Sequence, residues 1–336
     1  MKSDFSLGDL CDFIAEVTHL EEGPPGVESI LRQIHQFGPV SPRDLAGAVG
    51  LPIPLISAVR RELEKLDLLD RKGGMILSSQ GRKLTEPQWG DQDSGEETGS
   101  ASAENSDANS CSVFEQIASK RPPVDRRWDQ SHATLETAVK RAELFLDRGW
   151  IQGKRVLFLG DDDLTSIGTL LLFKERLGKK AMETSSVSVL EIDTRLVEFL
   201  QQVAREEDLP LVAIQADLRE SVPSQLAGSF DFFFTDPPYT SEGVNLFLDR
   251  GCQALDPEGM RKAALAVPLS PPSLQLATQE AIIKKGFAID YLTPGFNHYI
   301  GGTMHGGISA LVCLQLLRTD QFSAQTHEGP LYTAET

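Results

Sequence analysis

Lys154-Arg-Val-Leu-Phe-Leu-Gly-Asp-Asp-Asp-Leu-Thr-Ser166 is the stretch whose reading decides the fold. Val156 to Leu159 form a continuous apolar run bounded by turn residues, the pattern of a short parallel strand covered on both faces. Gly160 would turn the chain at the strand's carboxyl end, the edge at which doubly wound sheets hold ligands. Asp161, Asp162 and Asp163 are therefore expected in the crevice that a nucleotide-like cofactor would use. A pyrophosphate is normally cradled by a glycine-rich turn, and G-x-G-x-x-G is absent here. Phosphate beside three carboxylates would be repelled, so the turn suits a cation. A plain helix cap is the competing reading, since Asp is favoured at an N-cap and in the first helical turn. Three consecutive acids followed by the cap-like Thr165-Ser166 exceed what one cap needs.

Working outward, Ile167 to Leu177 fits a crossover helix ending at Gly178, and Ser186 to Leu190 a second strand closed by Glu191-Ile-Asp193. A helix over Thr194 to Glu206, a third strand over Leu211 to Gln215 and a fourth over Phe230 to Thr235 follow. Val244 to Leu255 reads as a helix, and Ala263 to Val267, Gly286 to Leu292 and Ile308 to Leu317 as further strands. Before the central strand lie a short helix over Phe114 to Lys120, an irregular loop over Arg121 to Gln130, and an amphipathic helix over Ser131 to Arg148. Alternating strand and helix implies a mainly parallel sheet. The expectation is an α/β, doubly wound Rossmann domain over residues 113–318, with a tail over 319–336.

The amino-terminal part reads differently. Helices over Phe5 to Leu20, Val27 to Phe37, Ser41 to Val49 and Pro54 to Leu66, then a hairpin over Asp67 to Leu77 with Gly73-Gly74 at its tip, give the order of a winged helix over residues 1–87. Such domains often read DNA, and Arg60, Arg61, Lys65, Arg71, Lys72, Arg82 and Lys83 lie within it. Yet 13 acidic against 10 basic residues over 1–87 leave a net charge of about −3, poor for binding by counterion release. A structural or dimerising role is favoured. Residues 88–112 shift to Gly, Ser, Ala, Asp, Glu and Asn, the composition of a flexible linker.

The 336 residues allow two domains, and the net charge of −17 argues against a nucleic-acid partner and for a polycationic one. Cys11, Cys111, Cys252 and Cys313 show neither C-x-x-C nor zinc-ligand spacing, which points to a reducing cytoplasm and to no metal or tightly bound cofactor. No apolar stretch approaches the roughly 20 residues of a membrane span.

The second motif is Asp236-Pro-Pro-Tyr239, directly after the phenylalanine-rich strand. Two prolines remove two backbone donors and fix φ, so the chain leaves the sheet in a rigid turn that can present an Asp carboxylate to an amine, with Tyr239 as a wall. Glu191 at the end of the second strand is placed to accept from a ribose diol, with Asp193 as its close competitor. Asp217, after the third strand, is placed for an adenine amino group. Asn297, His298 and Tyr299, before Gly301-Gly302, read as a polar-aromatic loop able to close over an acceptor, or as an ordinary turn.

The order Gly160, Glu191, Asp217, Asp236-Pro-Pro-Tyr239 resembles the AdoMet-dependent methyltransferase Rossmann fold, in which Asp/Asn-Pro-Pro-Tyr marks enzymes acting on amino nitrogens. A closer resemblance, over Arg121 to about Leu317, is to branched-chain polyamine synthases. Gly160-Asp-Asp-Asp-Leu-Thr-Ser166 and Thr235-Asp-Pro-Pro-Tyr-Thr240 look like that family's two signatures; Asp129-Gln130 and Phe247-Leu-Asp-Arg250 look like lesser ones. The family also carries an amino-terminal winged helix, and the long 88–112 linker departs from it. The resemblance implies transfer of aminopropyl groups from decarboxylated S-adenosylmethionine to the secondary amine of spermidine, giving a branched product and methylthioadenosine. It implies a thermophilic source, a homodimer, a polyamine partner and no membrane. Following the family motif, Asp162 is the expected base. Asp161, Asp163, Asp236 and Tyr239 would assist; Gly160, Glu191, Asp193, Asp217 and Asp236 would hold the donor, and Asp129, Asp163, Tyr239 and Tyr299 the acceptor.

The residues argue the same way. An α-carboxylate would be repelled by Asp161 to Asp163, whereas a decarboxylated donor offers a cationic aminopropyl end. The acceptor amine, with a pKa near 10.4, is mostly protonated at neutral pH and needs a base. Two alternatives stay open: an AdoMet-dependent amino-methyltransferase acting on nucleic acid or protein, and a polyamine-sensing DNA-binding regulator.

Overall fold

Residues 155–159 form β1, an interior strand of one mixed sheet, because Val156, Leu157, Phe158 and Leu159 all lose their solvent to neighbours on both faces. A computed structural model describes residues 6–20, 22–49, 51, 53–70, 74–90, 112–268, 272–300, 307–320 and 322–332. The chain divides into two compact units, Met1–Thr98 and Gly99–Thr336.

In the larger unit β1 (Arg155–Leu159) is joined by β2 (Ser186–Glu191), β3 (Leu211–Gln215), β4 (Phe232–Thr235), β5 (Lys262–Val267), β6 (Phe287–His298) and β7 (Ile308–Leu316). Their order is β3-β2-β1-β4-β5-β7-β6. The first five run parallel, while β7 is antiparallel to both β5 and β6. Strand order reverses between β1 and β4, which opens the crevice of a doubly wound sheet. Register then decides the site: Leu159 pairs level with Leu190 on one side and Thr235 on the other. The three turns that follow emerge together at one edge.

Alternation along the strands sorts the core into two layers. Phe158, Phe232 and Phe234 pack on one face with Phe145 and Trp150; Leu157, Leu159 and Phe233 pack on the other. Each such side chain contributes about 1.5–3 kcal/mol on burial. The helices are α6 (residues 112–118), α7 (Leu135–Asp147), α8 (Thr165–Met182), α9 (Thr194–Glu206), α10 (Ser241–Ala254) and α11 (Pro272–Lys284). Gly178, with φ 78°, interrupts the helical geometry of α8 where the sequence predicts its end, and a further turn follows.

Two expectations for this unit are corrected, and the tail, to which the sequence assigns no role, is given a place. The helix placed over Ser131 to Arg148 begins at Leu135, capped by Thr134, because residues 131–133 are drawn out as Ala133 bridges Tyr299. Asn297 and His298 lie in β6, paired with Ser309 and Ile308, rather than in a loop; Gly301-Gly302 lie outside the described residues. The tail is docked: fully buried Arg250 donates to the Ser323 and Gln325 carbonyls, and Leu331 and Tyr332 are buried, with Tyr332 edge-on to Trp128.

The smaller unit holds α1 (Leu7–Thr18), α2 (Gly23–Phe37), α3 (Pro42–Val49), α4 (Ile53–Lys65) and α5 (Ser79–Trp89). Bridges pair Val40 with Met75 and Leu69 with Leu77, and the predicted hairpin tip at Gly73 falls outside the described residues. α2 starts before Val27 because its prolines occupy the first turn, where their missing N–H costs nothing. The linker expected over 88–112 is shortened at both ends. α5 runs through Trp89, whose ring is buried beside His35, and Ser112 is already helical; residues 91–111 lie outside the described part. No helix among the described residues is long and apolar enough to cross a membrane.

Candidate active site

Gly160 leaves β1 with φ 72°, a region closed to most side chains, and its amide donates to the Leu190 carbonyl at 2.8 Å. Asp161 follows, and its amide donates to Glu191 Oε2 at 3.0 Å, tying the acidic turn to the end of β2. Leu164 is fully buried and yet left-handed, φ 57°. Such a conformation costs about 1–3 kcal/mol and persists only where surroundings enforce it, often at functional sites. It lets α8 start at once, so three acids are confined between a strand and a helix.

The three aspartates have different partners. Asp161 caps α8, accepting from the Ser166 amide at 3.2 Å and from the Ser166 hydroxyl. Burial pushes its carboxyl up to about 8, with repulsion from Asp163 and Glu191 adding to it and the Ser166 bonds opposing. Asp163 accepts from the Ala133 amide and from Arg141 Nη1, the latter at 2.6 Å. Among the described residues Asp162 accepts from the Ser131 amide alone, at 3.1 Å, while its own carbonyl receives Arg121 Nη1 at 3.0 Å. Its carboxyl is held well above the usual range by burial, then by Asp163, Glu191 and Asp236, against the pull of Arg121. Of the three, Asp162 is the one with neither a side-chain hydroxyl nor a guanidinium bonded to its carboxylate.

Asp236 occupies the turn after β4. Its Oδ2 accepts from Arg141 Nη2 at 2.8 Å and from the Tyr299 hydroxyl at 2.7 Å, and its Oδ1 from the Tyr239 hydroxyl at 3.0 Å. The two tyrosine hydroxyls lie 2.7 Å apart. Burial raises Asp236 to about 6 despite Arg141. It also raises both tyrosines, which keeps them protonated and able to donate. The prolines hold this turn rigid, and Thr240 then caps α10 through the Gly243 amide at 2.9 Å.

Sequence reasoning missed Arg141. It is fully buried, lies over the Phe234 ring at 4.8 Å, and donates Nε to Asn297 Oδ1 at 2.8 Å besides its bonds to Asp163 and Asp236. The signal was present: on α7 it shares the face of Ala138 and Phe145, and a lone arginine on an apolar face needs partners. His132 was also missed; burial, with Arg121 nearby, pushes its imidazole down to about 4, so it is neutral near pH 7.

The residues expected to hold the donor are divided as well. Glu191 is buried, its oxygens accepting from the Asp161 and Asp193 amides, and burial raises its carboxyl. Asp193 caps α9 and pairs with Arg195 at 2.6 Å, also accepting from Gln130 Nε2 at 3.2 Å. Asp217 pairs with Arg219 at 2.7 Å. Asp129 has φ 53° and ends the short turn Arg126–Trp128 next to Gln130. The structure thus brings together Asp161, Asp162, Asp163, Glu191, Asp236, Tyr239 and Tyr299, with Asp193 at the margin. The hydrogen bonds of Asp217 run to Arg219, away from that network.

A crevice at the reversal point of this sheet, lined by carboxylates, defines a methyltransferase-like Rossmann protein. Residues 110–326 match the family described as branched-chain polyamine synthase A C-terminal domain, and the chain belongs to that family. An uncharacterized protein of Methanocaldococcus jannaschii is 34% identical over 324 residues, covering 89% of this chain and 75% of its own length. An N(4)-bis(aminopropyl)spermidine synthase of the same organism is 31% identical over 268 residues, covering 74% and 71%. The synthase of that name from Thermus thermophilus is 37% identical over 186 residues, covering 54% and 51%. The crystal structure of the Thermus thermophilus branched-chain polyamine synthase, in complex with N4-aminopropylspermidine and 5'-methylthioadenosine, superposes with a TM-score of 0.60 at 26% identity over 98% of both chains.

Proposed function

We propose that this chain transfers aminopropyl groups from decarboxylated S-adenosylmethionine to the secondary amine of spermidine, making N(4)-bis(aminopropyl)spermidine and methylthioadenosine. The observation that carries this reading is the convergence of Asp161, Asp162, Asp163, Glu191 and Asp236 on one buried crevice with Arg141 as its fully buried cation. Such a site favours polycations and disfavours a donor with an α-carboxylate.

Glu191 would meet the ribose, its carboxylate standing at the end of β2 and tied to the acidic turn through the Asp161 amide. Asp193 and Asp217 would border the adenosine, and Asp129 and Tyr299 the acceptor. Asp162 takes the proton from the attacking nitrogen, whose lone pair forms the N–C bond as the C–S bond breaks and the neutral thioether leaves. Asp236 and the hydroxyls of Tyr239 and Tyr299 position the amine. A second transfer to the same nitrogen gives a quaternary centre.

The amino-terminal unit is proposed as a winged helix, with helices α2 to α4 and the Val40–Met75 and Leu69–Leu77 bridges as its support. A homodimer and a cytoplasmic location are proposed with it, the scattered cysteine positions according with a reducing compartment. Incubation with spermidine and either donor, followed by product mass, tests the function. Aminopropyl increments with the decarboxylated donor alone support it. Methyl increments with S-adenosylmethionine would move the chain to the amino-methyltransferases.

A further inference from the structure

We propose that Arg141 is a positioning residue of this reaction, locking the acidic turn after β1 to the Asp-Pro-Pro-Tyr turn after β4 so that Asp162 is left as the base; this rests on the function proposed above. Among the described residues, Arg141 alone hydrogen-bonds carboxylates of both motifs: Asp163 at 2.6 Å and Asp236 at 2.8 Å. Its Nε is fixed by Asn297 at 2.8 Å, and Asn297 is itself anchored through Nδ2 to Ser309 Oγ and the Ala310 carbonyl, both at 3.0 Å. Nη1 also reaches Thr165 Oγ1 at 3.2 Å and Nη2 the Tyr299 hydroxyl at 3.3 Å. One side chain therefore ties α7, the acidic turn, the first residue of α8, the Asp236 turn and the end of β6.

A guanidinium does this because its planar fork presents several donors in fixed directions, which an ammonium cannot. The charge matters as much as the shape. Asp236 faces Arg141 from α7, Asp163 and Asp162 from the acidic turn, Tyr239 from its own turn and Tyr299 from beyond β6. Asp163 also has Arg121 and His132 nearby. Loss of the buried guanidinium would remove the opposite charge that holds Asp236 down against burial and Asp163. A protonated Asp236 binds a cationic acceptor poorly.

The test compares pH profiles of kcat and kcat/KM for the wild type, Arg141→Lys, Arg141→Gln and Asn297→Ala, with melting temperature as control. Removing an opposite charge at this distance raises a carboxyl by about 1–3 units. The acidic limb should therefore move up by about 1 unit or more in Arg141→Gln and less in Arg141→Lys, with kcat lowered at least tenfold. Asn297→Ala keeps the charge, so its limb should stay while kcat falls several-fold. If Arg141→Gln loses its fold, Arg141→Lys and Asn297→Ala carry the comparison. An active wild type with unmoved limbs and kcat within twofold in Arg141→Lys overturns the inference alone. A wild type that makes no aminopropyl product overturns the proposed function, and the inference with it.

Discussion

Three adjacent aspartates have become three different groups through their partners. Asp161 serves a helix end, Asp163 an arginine, and Asp162 keeps one amide bond from Ser131. Asp162→Asn should therefore lower kcat by about 10²–10⁴, the range of general-base catalysis, with the melting temperature little changed; near-normal turnover would remove it from that role. Proton linkage gives a second expectation. Near pH 7 Asp161, at about 8, holds its proton, whereas Asp236, at about 6, is mostly ionised. A bound polyamine cation favours their ionised forms, so binding near pH 7 should release protons. Calorimetry in buffers of different ionisation enthalpy would read that release, and a buffer-independent enthalpy would contradict it. The same raised values set the sign for stability. The folded state holds these protons more tightly than the unfolded chain, whose Asp titrates near 3.9. Their contribution is thus greatest below about pH 4 and declines as pH rises through about 6 for Asp236 and about 8 for Asp161.

Elements place these residues, and much of that placement was legible. Continuous apolar runs gave the strands at the level of the crevice, and level register between Leu159, Leu190 and Thr235 made neighbours of turns 30 and 75 residues apart in sequence, as Asp161, Glu191 and Asp236 are. Partner choice was not legible. Nothing in the local sequence says that Ser131 and Ala133 spend their amides on aspartates instead of starting a helix, since that depends on a tertiary contact. The Phe247-Leu-Asp-Arg250 stretch was visible as a motif without a role. Arg250 bonds the carbonyls of Leu218, Arg219, Ser323 and Gln325 at 2.8–2.9 Å, while Asp249 accepts from the Ser323 amide at 2.7 Å. Arg250→Ala should destabilise the larger unit by roughly 3 kcal/mol or more through orphaned buried carbonyls, and should speed amide exchange over 322–332. Unchanged exchange there would show that the segment is held otherwise.

At the scale of the molecule, composition and site agree. A chain with net charge −17 attracts polycations from a distance, and that attraction is screened beyond about 8–10 Å at ordinary ionic strength. Polyamine association should consequently slow as salt rises, in stopped-flow binding, while dissociation changes less. A salt-independent association rate would confine the electrostatics to the crevice. The central claim is a choice between cationic donors made by carboxylates, and product mass tests it most directly. Purified protein with spermidine and decarboxylated S-adenosylmethionine should yield a mass gain in aminopropyl units with stoichiometric methylthioadenosine, and S-adenosylmethionine should yield nothing. Methyl gain with S-adenosylmethionine, or no product with either donor, would contradict the account.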